Sequence, residues 1–448
     1  MQTATWPPGG LALVPHNLAR DKCVSRNDYK AGSQLLSITS YATTLLDSEK
    51  GRRCDFCFSL PRDTTHLKRC SGCGSYWYCD EHCQSAQWQT HHKRVCRTYN
   101  PFLVSPEYQA LPDYKKLDSI MLSHVIAQLS LLPDPYAFQE SAPSSLLMSL
   151  IAGPDKSLAP PICPVKPIPP PGLVQKLYAR FGNNNFAIHS HLNTIGHGIF
   201  PQTSRLFNHS CLPNSAAKYI FEPGAAIRME VVALRDIAKG EEVCLPYLDP
   251  ALLETREQIL EFSYGFQCQC PTSLFLRRIG PLTDTPAVEN EMLKISEELL
   301  EFVGVDSTKA LISLPNKPLE SLPPSLYCVL RESYMGGLSE TFSKASHEGQ
   351  YDIALQSGDT LLSLYLLVYP LNYPQIGMHC LEMAKTIWNV VITSTDQNKG
   401  RVLKDQARRY LVLARRVLDV FGPEGDEGGP LQEIAILDGL LQSAKTRE

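Results

Sequence analysis

The chain has no hydrophobic run that could cross a bilayer; its longest strongly apolar stretch, residues 361–368, is far too short. It also lacks the basic start and apolar centre of an export signal. Trp6-Pro7-Pro8-Gly9-Gly10 stands where they would lie, so neither secretion nor membrane residence is expected. A large excess of one charge is missing too. The 42 Lys and Arg against 46 Asp and Glu leave a net charge of -4, with no global attraction to nucleic acid or anionic lipid, so any basic docking surface has to be local. Cysteine, by contrast, is plentiful. The 15 cysteines gather in CxxC pairs with histidines among them, which favours zinc and a reducing compartment over disulfides. A length of 448 residues accommodates roughly three domains.

The strongest local signal is a ladder of ligands. Cys54-x2-Cys57, Cys70-x2-Cys73, Cys79-x3-Cys83, then His91 or His92 with Cys96, supply eight candidates for two tetrahedral zinc ions. A CxxC turn puts both sulfurs on one ion, and Cys79 and Cys83 lie one helical turn apart. His92 and Cys96 share a helix face through the same four-residue step, so His92 is the preferred ligand. A segment this short buries too little apolar area to fold alone, which makes the metal a folding device first. Lys68, Arg69, Lys93, Arg94 and Arg97 make it locally basic, although a basic face is usually just solvated.

A second stretch, Arg205-Leu206-Phe207-Asn208-His209-Ser210-Cys211-Leu212-Pro213-Asn214, suits neither a strand face nor a helix stripe and reads as irregular, polar backbone. By itself it is a polar loop with an Asx turn. Its setting is more informative. Upstream lie the strand Asn185-Phe186-Ala187-Ile188 and Gly196-His197-Gly198, whose glycines suit a tight turn; His189, His191 and His197 read as loop histidines. Downstream an apolar strand closes at Lys239-Gly240, reopens after Glu241-Glu242 and runs into Leu245-Pro246-Tyr247, followed by Tyr264-Gly265-Phe266-Gln267-Cys268-Gln269-Cys270. Residues 16–46 read as short strands around a turn at 29–33, and 101–150 as helical, with His124 in a core stripe. Residues 160–171, rich in proline, read as a stiff surface connector. Beyond Pro281 helices are expected over 289–303, 338–349, 353–367, 377–392 and 405–420, with Ala384, Ala407 and Ala414 suited to close packing.

This ordered set resembles the SET domain of protein-lysine methyltransferases, and the cysteine ladder, with Tyr78, Gln84 and Trp88, is similar to a MYND zinc finger. His91 keeps the family's distance from Trp88. The combination resembles SMYD-type proteins and implies an α+β fold: a SET-type β-fold split by the finger and a helical insertion, then an α-helical TPR-like domain. The implied boundaries are 1–50 for the first part of the SET domain, 51–97 for the finger, 98–180 for the insertion and connector, 181–262 for the SET core, 263–280 for the post-SET segment and 281–448 for the helical domain. By resemblance the zinc ligands interleave, Cys54, Cys57, Cys79 and Cys83 on one ion and Cys70, Cys73, His92 and Cys96 on the other. A third site would use Cys211, Cys268 and Cys270, with Ser273 where the last sulfur stands in relatives.

The implied activity is transfer of a methyl group from S-adenosylmethionine to lysine in a histone or non-histone protein. Alignment of donor and unprotonated amine is what such a reaction chiefly needs. The resemblance makes Tyr247 catalytic and puts Asn208, His209, Asn185, Tyr247 and Phe266 at the cofactor, with Tyr264 and Phe266 walling a lysine channel. The family's first hairpin carries Gly-x-Gly; here Arg20-Asp21-Lys22 stands in its place. That departure favours an alternative, an adaptor that binds partners through finger and helices, whereas intact Asn208, His209 and Tyr247 favour the enzyme. Further expectations are a monomer, nuclear or cytoplasmic, whose finger binds proline-rich peptides or DNA.

Overall fold

The computed structural model describes residues 6–17, 19–61, 66–131, 143–154, 157–305, 317–393 and 397–443. The chain opens with the antiparallel pair β1 (Leu11–Pro15) and β2 (Asp21–Ser25), followed by β3 (Gln34–Thr39) and β4 (Ala42–Leu45). Gly32, at φ 84°, makes the turn that feeds β3. Two short strands, β5 (Lys68–Arg69) and β6 (Trp77–Tyr78), and the helix Glu81–Gln87 form the finger between β4 and the rest of the β-fold. Asp80 caps that helix, its side chain accepting the Cys83 N–H at 2.9 Å.

The β-fold resumes with the hairpin β7 (Asn185–Ser190) and β8 (Asn193–Ile199), whose tip puts both His191 and Leu192 at positive φ. β8 also pairs with β4. β9 (Asn208–His209) comes next, then β10 (Ser215–Ile220) and β11 (Arg228–Ala233), which form a second three-stranded antiparallel sheet with β3, and finally β12 (Cys244–Leu245). Leu36, Ile188, Phe200, Met229, Val231 and Val243 fill the space between these sheets.

Three sequence expectations change. Gly196 and Gly198 lie inside β8, not at a turn: a Cβ on Gly196 would stand 2.5 Å from both the Phe58 ring and the Thr44 carbonyl, and one on Gly198 would stand 2.8 Å from Ile188 Cδ1. The strand expected to carry Tyr247 ends two residues before it, because β12 pairs only through Cys244 and Leu245. The proline-rich connector is strapped down, not free. Its Cys163 and Val165 are buried, Ser119 and Thr98 hydroxyls donate to the carbonyls of Pro161 and Pro164, and Arg94 of the finger donates to the carbonyl of Lys166 at 2.8 Å. Ile168, 85% exposed, remains outside.

The helix Asp113–Leu129 is buried on most of its surface, and His124 is indeed a core residue. Its Nδ1–H donates to the Thr43 carbonyl at 2.9 Å while Nε2 accepts the Tyr76 hydroxyl at 2.7 Å. Residues 132–142 of the stretch expected to be helical lie outside the described residues. The carboxy-terminal part is helical: Pro271–Ile279, Glu289–Val303, Glu332–Glu348, Tyr351–Val368, Pro374–Thr393, Gln397–Phe421 and Pro430–Ser443. Ala384, Ala407 and Ala414 are fully buried in its core, as close helix packing requires.

Candidate active site and metal clusters

The helix Pro201–Leu206 delivers the chain into β9, which lies parallel to β12 although 34 residues separate its last residue from the first of β12. Two asparagines stitch this crossing. Asn208 Nδ2 donates to the Asp21 carbonyl and to Glu242 Oε1, both at 2.9 Å, and Asn214 donates to the Glu242 carbonyl while accepting the Cys244 N–H. Arg20 and Asp21, in the place of the family's glycines, are themselves engaged: Arg20 donates to the Ser149 carbonyl and Asp21 pairs with Arg205. The Ser210 N–H donates to the Leu245 carbonyl at 3.1 Å, so by strand alternation the N–H and C=O of His209 point to the opposite edge of β9, where no strand pairs among the described residues.

Tyr247 is held at both ends. Its N–H donates to His209 Nδ1 at 3.0 Å and its hydroxyl donates to the Phe207 carbonyl at 2.7 Å. Burial, with Tyr264 adding to it, pushes the Tyr247 hydroxyl up from the ordinary phenol range, so it stays a neutral donor. The Tyr264 ring lies 5.0 Å from that of Tyr247, and Phe266 packs against both Tyr247 (6.4 Å) and His209 (6.1 Å). Tyr247, Tyr264, Asn185 and Phe207 line a cavity of about 420 Å³; Asn208, His209 and Phe266 are not among its lining residues. Asn185 Oδ1 faces His197 Nδ1 at 3.3 Å.

Sequence reasoning passed over several residues of this cavity. Among the described residues Asp249 is the one carboxylate in its lining and no Lys or Arg takes part, while Tyr373, Gln375 and Phe421 come from the carboxy-terminal helical region. Asp249 follows Tyr247 by two positions and could have been noticed; the others carry no local pattern.

Two clusters of metal-ligand type form in the finger. The sulfurs of Cys54, Cys57, Cys79 and Cys83 lie within 4.8 Å of one another, as do the ligand atoms of Cys70, Cys73, His92 and Cys96. Their edges suit tetrahedra: 3.7 Å between Cys57 and Cys79, 3.8 Å between Cys70 and Cys96, and 3.3 Å between His92 Nε2 and Cys70. His91 points elsewhere, stacking on His124 at 4.1 Å. Burial pushes His92 down to about 4, keeping the imidazole neutral as a ligand must be. A third group brings Cys211 within 3.7 Å of Cys268, with His209 beside them.

A threaded strand pair beside a tyrosine-lined cavity, joined to a double cysteine cluster and a helical array, defines a SET-type fold carrying a finger. The SET domain family model matches residues 22–248. The chain is 28% identical over 415 residues to the histone-lysine N-methyltransferase ASHR1 of Arabidopsis thaliana, covering 81% of this chain and 83% of that protein. It is 26% identical to the N-lysine methyltransferase SMYD2 of Bos taurus over 392 residues and to that of Homo sapiens over 398, each covering 80% of this chain and 84% of the relative. The chain belongs to the SET domain family, in its SMYD-type, SET–MYND branch. No helix among the described residues is long and apolar enough to cross a membrane.

Proposed function

We propose that the protein is an S-adenosylmethionine-dependent protein-lysine N-methyltransferase with Tyr247 as its catalytic residue, acting on histone or non-histone protein. The observation that carries this reading is the Tyr247 hydroxyl, anchored to the Phe207 carbonyl in a cavity rich in tyrosine and lined by no Lys or Arg among the described residues. With its proton committed to that carbonyl, the phenolic oxygen keeps lone pairs for the C–H groups of a methyl and for the incoming amine. Tyr219, Tyr247, Tyr264 and Tyr373 give the lining an aromatic character that suits a lysine side chain, and Asp249 adds a charge of the right sign. Phe266 orients the Tyr247 and His209 rings.

The cofactor, when bound, supplies an electrophilic methyl group on a sulfonium. The unpaired edge at His209 fits the hydrogen-bonding rim of an adenine, Asn208 fixes that strand, and Asn185 approaches from the cavity. The two finger clusters fit zinc in donor type, number and edge length, and would fix the finger's fold; Cys211 and Cys268, which lie together with His209, would with Cys270 hold a further ion. This reading includes the division at residues 1–50, 51–97, 98–180, 181–262, 263–280 and 281–448, a monomer, and a nuclear or cytoplasmic site of action. A hollow of about 420 Å³ along Cys70, Gly72, Gln84 and Trp88 supports peptide binding by the finger.

Isothermal calorimetry with S-adenosylmethionine, together with transfer of labelled methyl to core histones and other lysine-bearing proteins, tests the proposal. The adaptor alternative draws on Arg20, Asp21 and Lys22 in place of glycines. An absence of binding at millimolar cofactor would decide for it.

A further inference from the structure

Ser273 is the residue that separates this chain's post-SET segment from a four-sulfur zinc site. We propose that Ser273 Oγ is the fourth ligand, making a three-sulfur, one-oxygen site. That role for Ser273 rests on the reading that Cys211, Cys268 and Cys270 bind zinc.

Zinc–sulfur and zinc–oxygen bonds in a tetrahedron require about 3.8 Å between sulfurs and about 3.6 Å between sulfur and oxygen. Cys211 and Cys268 sulfurs are 3.7 Å apart, and Ser273 Oγ is 3.3 Å from the Cys211 sulfur and 3.6 Å from that of Cys270. His92 Nε2 occupies a corner of the same shape in the finger, 3.3 Å from Cys70 and 3.7 Å from Cys73. Ser273 is 0% exposed, in the first turn of the helix Pro271–Ile279 that Cys270 caps.

His209 is the competing ligand, with Nε2 3.2 Å from the Cys211 sulfur. Its Nδ1 accepts the Tyr247 N–H, so the ring proton sits on Nε2. A protonated nitrogen donates to a thiolate and does not ligate; His209 is therefore an outer hydrogen bond to the cluster.

A divalent zinc with three thiolates and a neutral hydroxyl carries one negative charge. A hydroxyl also holds zinc less firmly than a thiolate, so this ion leaves before those of the finger. Cys211 lies two positions after His209 and Cys268 two after Phe266, so the ion joins the two segments that pack against Tyr247.

Zinc release from the full-length, zinc-loaded protein to a chromogenic chelator tests this, read as stoichiometry and rate. The native protein should yield three zinc per chain, one leaving at least about tenfold faster than the other two. Ser273→Cys should abolish that fast phase, Ser273→Ala should reduce the count to two, and His209→Gln should leave it at three. A fast phase unchanged in Ser273→Cys, or a count of two in His209→Gln, would overturn the assignment of Ser273 while leaving a third zinc in place. Two zinc in the native protein would remove the third site itself.

Discussion

Tyr247 is tied to the protein by one hydrogen bond through its backbone and another through its hydroxyl, and the two have separable consequences. Tyr247→Phe keeps the first and loses the second. It should retain cofactor affinity by calorimetry, cost about 1 kcal/mol of stability, and lower the turnover of labelled methyl transfer by about a hundredfold. Unchanged turnover would take Tyr247 out of the chemistry. Asn208, His209 and Tyr247 stand out in the sequence because each sits in a short motif whose residue types are unusual together. Tyr373 and Phe421 do not, since they reach the cavity only through packing between segments more than 100 residues apart. The four-residue step to Cys96 pointed to His92, whose ring lies with Cys70, Cys73 and Cys96, while the stacking that occupies His91 is a tertiary fact with no sequence signature.

Elements were read best where their period was strong: the helix Glu289–Val303 has the expected bounds, whereas the two-residue strands β9 and β12 carry no period at all. Glycine misled in the other direction. In β8 it is required by what lies above and beside the strand, so Gly196→Ala should lower the urea midpoint, at a cost of about 1–3 kcal/mol, because the Thr44 carbonyl cannot withdraw as a side chain could. A substitution without effect would mean that β4 and β8 can separate freely. Between the helices Tyr351–Val368 and Pro374–Thr393, His379 Nε2 donates to the Gly358 carbonyl at 2.8 Å, and burial pushes it down to about 4. A base with a depressed native pKa binds fewer protons folded than unfolded, so stability falls as pH drops from about 6.5 toward 4. Between pH 7 and pH 5 this one group should cost about 2 kcal/mol, and His379→Gln should flatten that part of the pH profile of chemical unfolding.

Across the whole molecule the finger is not an appendage. Its cysteines, Tyr76 and Val95 share one apolar cluster with Leu122 and Val125 of the insertion and with Phe181, and Arg53 grips Asp426 of the carboxy-terminal region through two bonds of 2.8 and 2.7 Å. Asp426→Ala leaves Arg53 buried with half its partners and should cost about 3 kcal/mol in denaturant unfolding. Chelation of the zinc proposed for the finger should lower the melting temperature of the helices packed on it together with that of the finger; independent melting would contradict the shared core. This grip was not readable in the sequence, because an Arg and an Asp 373 positions apart announce nothing. The same long-range closure governs when the protein can first act during synthesis. β9 leaves the ribosome without its partner, and the last residue lining the cavity, Phe421, follows it by more than 200 positions. A nascent chain therefore carries the motifs around Asn208 and Tyr247 well before the residues that complete the chamber's wall have been made.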